Sequence, residues 1–518
     1  MHSTMKYFSL FLLAFLAALP AGAQTDTNAV AAPAMTDMPH PPADASTNTR
    51  AMSLEDCIQE ALQHNLDVQI QRYNPQIALY TLRSAYAGYD PSLNISGQHA
   101  YSVSPGGYNP YSTNPIPARV ADANSFGSSI GGTLPWGLEY TLSGTISEQY
   151  GSSGLPFDNS QGNIGVTLRQ PLLKNFWIDS TRLTIRVNKN HLKFTEQGLR
   201  AQVIASVTAV ENAYYELIFA QENVKVQQDA LELAQTQLDQ DNQRVQIGTL
   251  AILDVQQDEA QVAQSKASLI SAFSTLGTDQ RVLKNLLTDE YSKWFGQDIQ
   301  PVETLTAPEQ TFNLQGSWRK GMTERPDLLQ ARLNVEQQGI QLKYARNQLF
   351  PELDLTGTYG FNGASREFSG TFSQFNEGNA PFYSYGAQIT VPLSNIGARN
   401  QYKASKAALQ QVLLQLKQLE QLVMVEIDNA VGVAESDYQS VQASRQARIY
   451  AEAALDAEQK KYAVGKSTTF TVLQLQNKLT AARSQEIRDL ANYNQALASL
   501  AQQEGSTLER DRIDIQTQ

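Results

Sequence analysis

Apolar residues in the middle of the chain recur at an unbroken interval of seven: Val203, Val210, Leu217, Val224, Leu231, Leu238 and Val245, then Val255, Val262, Leu269, Leu276 and Leu283. A sustained heptad predicts helices that supercoil against neighbours rather than fold into a compact globular core. The intermediate positions begin as Val207 and Tyr214 and become Gln221, Gln228, Gln235 and Asn242. The apolar seam therefore narrows toward the break between the two runs, and one face of the distal helix is expected to be wet. Read as one helix, Arg182 to Gln246 spans about 100 Å at 1.5 Å per residue. A globular domain has no use for that length.

A second periodicity, of two, marks strands. Leu353, Leu355, Gly357, Tyr359 and Phe361 alternate with Glu352, Asp354, Thr356, Thr358 and Gly360, and Tyr383, Tyr385, Ala387, Ile389 and Val391 alternate with Ser384, Gly386, Gln388 and Thr390. Runs of about ten residues, apolar on one side, polar on the other and carrying aromatics, match transmembrane β-strands. Earlier in the chain the same pattern covers Leu93–Tyr101, Phe126–Leu134, Leu138–Ile146 and Ile164–Leu168. The intervening stretches 102–125 and 147–163 are expected as long outer loops, and Pro135-Trp136-Gly137 as a tight turn.

The chain is also a duplication. At an offset of 217, Glu211-Asn212-Ala213 falls on Asp428-Asn429-Ala430, and Arg244-Val245-Gln246-Ile247-Gly248 falls on Lys461-Tyr462-Ala463-Val464-Gly465. At an offset of 260, Leu82-Arg83-Ser84-Ala85 meets Leu342-Lys343-Tyr344-Ala345 and Pro91-Ser92-Leu93 meets Pro351-Glu352-Leu353. Each half reads as short helix, strands, long helix, tight turn, long helix. The second half keeps the heptad loosely: Ile427, Ala434, Val441, Leu455 and Tyr462 are apolar, Glu420 and Arg448 are not. The expected organisation is a first repeat over 51–288, a linker over 289–316, a second repeat over 317–505 and a tail over 506–518.

The N-terminus changes the picture by naming a compartment. His2 and Lys6 lead into an apolar stretch from Phe8 to Leu19 and the small-residue exit Ala21-Gly22-Ala23. This predicts a secretory signal peptide over 1–23 with cleavage before Gln24. Residues 24–50, rich in Ala, Pro, Thr and Asp, follow as a flexible leader. With 42% hydrophobic residues and a mean hydropathy of −0.35, the mature chain is not a helical membrane protein, while a β-barrel stays open. A formal net charge of −12 argues against a nucleic-acid partner. Cys57 is the single cysteine, which excludes an intrachain disulfide and reads as a packing thiol. The histidines His2, His40, His64, His99 and His191 are scattered, with none at metal-ligand spacing, and neither a phosphate loop nor a nucleophile elbow is present. No enzyme, cofactor or metal is expected.

Four to six membrane strands per chain cannot close a wall, because open sheet edges are not tolerated in lipid and closed barrels start at about eight strands. Several chains must share one barrel. Three would supply twelve strands, or eighteen if the hairpin around Pro135–Gly137 also inserts.

In this order and repetition, the turn motifs Arg244-Val245-Gln246-Ile247-Gly248-Thr249 and Lys461-Tyr462-Ala463-Val464-Gly465-Lys466 resemble the TolC-type outer-membrane efflux protein family. The strand exits Gln170-Pro171-Leu172 and Val391-Pro392-Leu393 and the helix-to-strand Pro91 and Pro351 extend the resemblance over about residues 52–505. It implies a mainly α fold with transmembrane β: a homotrimer with a β-barrel in the outer-membrane lipid of a Gram-negative-type bacterium, set on an α-helical coiled-coil barrel. Its implied partners are a periplasmic adaptor and an inner-membrane transporter, in tripartite efflux or type I secretion. On this reading Ile247, Gly248, Thr249, Val464, Gly465 and Lys466 form the adaptor-docking tip. Asp254, Asp258, Tyr462, Thr471 and Gln474 are the candidate periplasmic gate. Asp254 and Asp258 share a helix face at i and i+4, and a threefold ring of such acids would favour cations. The family's second acidic pair falls here on the uncharged Thr471 and Gln474. The rival reading is a structural or adhesive trimeric coiled-coil surface protein with a β-barrel anchor.

Overall fold

The computed structural model describes residues 48–513 except 109 and 112. The expected signal peptide, residues 24–47 of the expected leader and the last five residues lie outside the described residues. In chain order the elements are β1 (Asn48–Met52), α1 (Leu54–His64), α2 (Leu66–Ala85), β2 (Ser92–Ser104), β3 (Arg119–Thr133), β4 (Glu139–Ser153), β5 (Pro156–Pro171), α3 (Ser180–Gln246), α4 (Ile252–Leu287), α5 (Tyr291–Trp294) and β6 (Gln297–Pro301). The second repeat brings α6 (Leu314–Glu324), α7 (Pro326–Asn347), β7 (Glu352–Ser365), α8 (Phe368–Glu377), β8 (Pro381–Thr390), α9 (Ile396–Ala463), α10 (Thr469–Glu504) and α11 (Thr507–Arg510).

Local chemistry sets the boundaries. Ser53 and Asp56 form a capping box at the start of α1, satisfying amides that the first helical turn leaves without partners. Pro326 occupies the first turn of α7, where its missing N–H costs nothing. Residues 48–50, expected as the end of the leader, belong to β1, which pairs in parallel with β6 inside the expected linker. Both strands are too short and too polar to stand out by alternation, and the pairing becomes visible only when α3 and α4 bring the segments together. Gln280 secures the edge of β6 by donating to the Ile299 carbonyl at 2.7 Å and accepting from the Ile299 N–H at 3.0 Å.

Around that small sheet lies the largest core. Met52, Cys57, Val68, Val207, Val210, Tyr214, Leu217, Leu283 and Leu287 are all buried there. The Tyr214 hydroxyl donates to the Met52 carbonyl at 3.0 Å. Cys57 packs among these side chains, and burial pushes its thiol up to about 12. A second cluster joins Leu328, Val423, Ile427, Val431 and Leu500 between α7, α9 and α10.

The narrowing of the α3 seam holds: Val207 and Tyr214 are buried, Gln221 is intermediate, and Gln228, Gln235 and Asn242 are exposed. Where Arg448 breaks the second heptad, its guanidinium pairs with Glu486 of α10, which also accepts from Arg445. A buried acid thus offsets the lost apolar contact.

The six strands form one antiparallel sheet in the order β2-β3-β4-β5-β7-β8, joining both repeats. The extra hairpin β3–β4 is part of it, so the sheet has six strands rather than four. One side carries Leu93 and Ile95, Ile130, Leu142, Ile164 and Val166, Tyr359 and Phe361, Tyr383 and Tyr385; the other carries Ser96, Ser129, Thr141, Thr167, Thr358 and Ser384. The long helices α3 and α9 leave from one end, where Arg169 on the polar side donates to Glu139, Glu352 and Asp354 at 2.6–3.2 Å and ties β4, β5 and β7 together.

The expected loop over 147–163 is instead strand: β4 and β5 run on to a tight turn at 154–155. Ladder hydrogen bonds hold those residues, but their side chains form no apolar row, so the period-two signal disappears while the strand continues. The long loop expected over 102–125 shortens for the same reason, with β2 reaching Ser104 and β3 starting at Arg119. The helix α8 between β7 and β8 had no sequence signal of its own.

Candidate functional site: the paired hairpin tips

At the far end of the helices, α3–α4 and α9–α10 make two hairpins with the same turn. The Gly248 N–H donates to the Val245 carbonyl at 2.9 Å and the Thr249 N–H to the Arg244 carbonyl at 2.9 Å. In the second hairpin Gly465 donates to Tyr462 at 3.0 Å and Lys466 to Lys461 at 2.9 Å. This pair of bonds is the Schellman closure, which requires a left-handed residue after the helix. Gly248 has φ of 77° and Gly465 of 73°. A methyl group at either position would meet nothing within 4 Å, so within the chain only the backbone angle demands glycine. The docking candidates Ile247, Gly248, Thr249, Val464, Gly465 and Lys466 are all exposed. They are joined by the exposed apolar side chains Ile252, Leu253 and Phe470.

Just inside the tips the hairpins meet at buried polar groups. Asp241 of α3 is fully buried. It accepts from the Tyr462 hydroxyl of α9 at 2.7 Å, from Thr469 of α10 at 3.3 Å and from Gln237 at 2.8 Å. Tyr462 and Thr469 also share a hydrogen bond of 2.8 Å. The Arg244 guanidinium sits 4.3 Å above the Tyr462 ring and 3.6 Å from Asp241, adding a cation–π contact to an ion pair. Burial, and then Asp241, pushes the Tyr462 phenol up to about 12, so it stays a donor at neutral pH.

Asp258 of α4 faces this cluster, is fully buried and receives no hydrogen bond on either carboxyl oxygen. Burial, then the neighbouring Asp241, then Asp254 raise its carboxyl to about 7. Two buried carboxyl groups side by side cannot both ionise cheaply, and only a protonated Asp258 can donate to Asp241.

The structure places the candidate gate residues in different surroundings. Tyr462 and Asp258 are in the cluster. Asp258, one turn after Asp254 on the same helix face, is enclosed by helices of its own chain. Asp254 is partly exposed. Thr471 belongs to the start of α10, where its N–H and hydroxyl bond Thr468. Gln474, on α10, is exposed. Asp241 and Thr469 were missed. The available signal was the row Ser206, Ala213, Ala220, Gln227, Ala234, Asp241, again spaced by seven, in which an acid ends a series of small residues interrupted by one glutamine.

A six-stranded sheet with one apolar and one polar side, set on two helical hairpins whose outgoing helices measure about 100 Å, is a two-sided, membrane-type sheet on a helical stalk. The sequence agrees: the model of the outer membrane efflux protein family matches residues 137–288 and 322–506, and the chain belongs to that family. The chain is 25% identical over 304 residues to the outer membrane protein TolC of Escherichia coli, covering 56% of this chain and 61% of that protein. It is 24% identical over 370 residues to TolC of Vibrio cholerae, covering 70% and 81%. The crystal structure of the V. cholerae outer membrane protein VceC superposes with a TM-score of 0.63 at 18% identity, covering 87% of this chain and 96% of that one.

Proposed function

We propose that three copies of this chain close into one outer-membrane channel that exports solutes delivered by an inner-membrane transporter through a periplasmic adaptor. It acts as a conduit and performs no bond chemistry. The observation that carries the reading is the six-stranded sheet itself: β2 and β8 are unpaired at its two edges, one side is apolar, and lipid does not tolerate unpaired edges. Pairing β2 of one copy with β8 of the next gives eighteen strands, a size at which barrels leave an aqueous lumen. The polar side, with Thr141, Thr167, Thr358 and the Arg169 network, then lines that lumen.

The tips suit the periplasmic mouth. Their exposed Ile247, Ile252, Leu253, Val464 and Phe470 offer apolar surface to an adaptor, and the Asp241–Tyr462–Thr469 cluster holds the two hairpins together. Separation of the hairpins at that cluster would widen the mouth. Purified full-length protein in planar bilayers tests the channel: discrete ion-conducting steps are expected, whereas an adhesive fibre with a sealed anchor would not conduct. Replacing Gly248 or Gly465 by Trp should abolish adaptor crosslinking while trimers still assemble, and unchanged crosslinking would refute docking at the tips.

A further inference from the structure

We propose that α8 is a membrane-surface helix, lying flat on the lipid-facing side of the barrel at the end remote from the hairpins, with Phe372 set at the boundary between headgroups and acyl chains of the outer leaflet. The inference rests on the reading of the sheet as membrane-spanning and adds a feature that the reading does not require.

The first observation is where the apolar side of the sheet ends. Along β7 the apolar row runs from Leu353 to Phe361, a rise of about 21 Å for strands tilted by roughly 40°, near the ~25 Å apolar band of such barrels. Beyond it, on the same side, stand Asn124, Glu148, Ser160, Gly162, Gly363 and Ser365. Small and polar groups like these make a poor lipid surface, and α8 covers them.

The fit is close. The Thr371 hydroxyl donates to Ser160 Oγ at 2.8 Å, and both residues are fully buried. A methyl group on Gly162 or Gly363 would come within 3.0 Å of the Phe375 ring, so these glycines make room for it. Ile146, whose row neighbours Leu142 and Phe126 are exposed, is only 7% exposed.

The helix also crosses the strands. Its start meets Phe126 of β3, with ring centroids 5.4 Å apart, and Glu148 of β4, which accepts from the Phe368 N–H at 3.3 Å. Thr371 then reaches β5, and Phe375 lies against β5 and β7. Ten residues of helix measure about 15 Å, and three gaps between four strands measure about 14 Å. A helix laid across strands tilted by roughly 40° runs at about that angle to the membrane plane, so its ~15 Å cover only roughly 10 Å of depth at the edge of the apolar band. Its outer face carries Ser369, Ser373 and Asn376 around Phe372, which is 58% exposed, with the exposed Glu377 at its end. A single large ring among hydroxyls and an amide, with a charge only at the last residue, suits the interfacial zone, which takes aromatics beside polar groups. The apolar band continues directly below, so the occupant that fits is outer-leaflet lipid.

Because Cys57 is buried, a Phe372→Cys variant offers one reactive thiol for a nitroxide label on the full-length protein in phospholipid vesicles. Thr141→Cys on the polar side and Tyr359→Cys within the apolar band serve as references. The ratio of oxygen to nickel-chelate collision at position 372 should lie severalfold above that at 141 and below that at 359. A ratio at 372 equal to that at 141, or a label shielded from both reagents, would overturn the assignment. If position 359 also reads as water-facing, the membrane-spanning reading itself fails. Ser373→Cys repeats the measurement should the first variant assemble poorly, with the same expected order.

Discussion

The two hairpin tips share a backbone and differ in chemistry. Both close with the same pair of hydrogen bonds around a glycine near φ of 75°. The first hairpin supplies the acids, Asp241 and Asp258, and starts its return helix at Ala251 without a side-chain cap. The second supplies the neutral donors Tyr462 and Thr469, caps its return helix with Thr468, and pairs Glu458 with Lys461 and Ser467. The two halves thus agree in what the turn geometry demands and differ where they face each other. Two copies of the acidic version would set carboxylates against carboxylates, and two of the neutral version would have no acceptor to share.

The largest way to break this comparison is to change the charge of its acidic side by pH. The folded Asp258 carboxyl lies at about 7, above its ordinary value of 3.8, so its neutral form is favoured by the closed tip. That stabilisation is complete below pH ~4 and is lost as pH rises through ~7. Hydrogen exchange at 237–262 and 458–476 should therefore be faster at pH 8 than at pH 5 after correction for intrinsic rates. Asp258→Asn should flatten the dependence; a variant that keeps the full slope would exclude Asp258 as its source.

Next in size is the shared acceptor. Asp241→Ala should loosen both tips by about 3 kcal/mol, because Tyr462 and Thr469 lose a buried charged partner together. Increased single-channel open time would accompany the loosening. Tyr462→Phe removes one donor and should cost about 2 kcal/mol; if the two substitutions are additive when combined, the residues do not act through one another.

Smaller effects sharpen the common part. Gly248→Ala and Gly465→Ala should each cost about 1 kcal/mol, since both place a side chain in left-handed backbone with free space around it. Markedly unequal losses in thermal unfolding would show that the turns are not equivalent. Smallest is the cap: Thr468→Ala should cost about 1 kcal/mol or less, and Ala251→Asp should gain a similar amount at the first tip.

The sequence by itself determined the long helices, the apolar stretches of the membrane-type strands and the two turns. Heptads that never slip define where α3 and α4 run, because a helix that buries one stripe must repeat it. The alternation in 352–361 and 383–391 likewise defines two-sided strands. It also located both turns, since only glycine accepts the required angle there. Decisions that depend on distant residues were left to the tertiary structure. Strands β1 and β6 lie far apart in sequence, and β4 and β5 continue past the apolar band, where no side-chain pattern marks them. Asp258 follows Asp254 on the same face, yet the packing of four helices encloses it against Asp241. Periodicity reports which side of an element is apolar; which charge meets which, and whether water reaches it, is settled only when the elements are assembled.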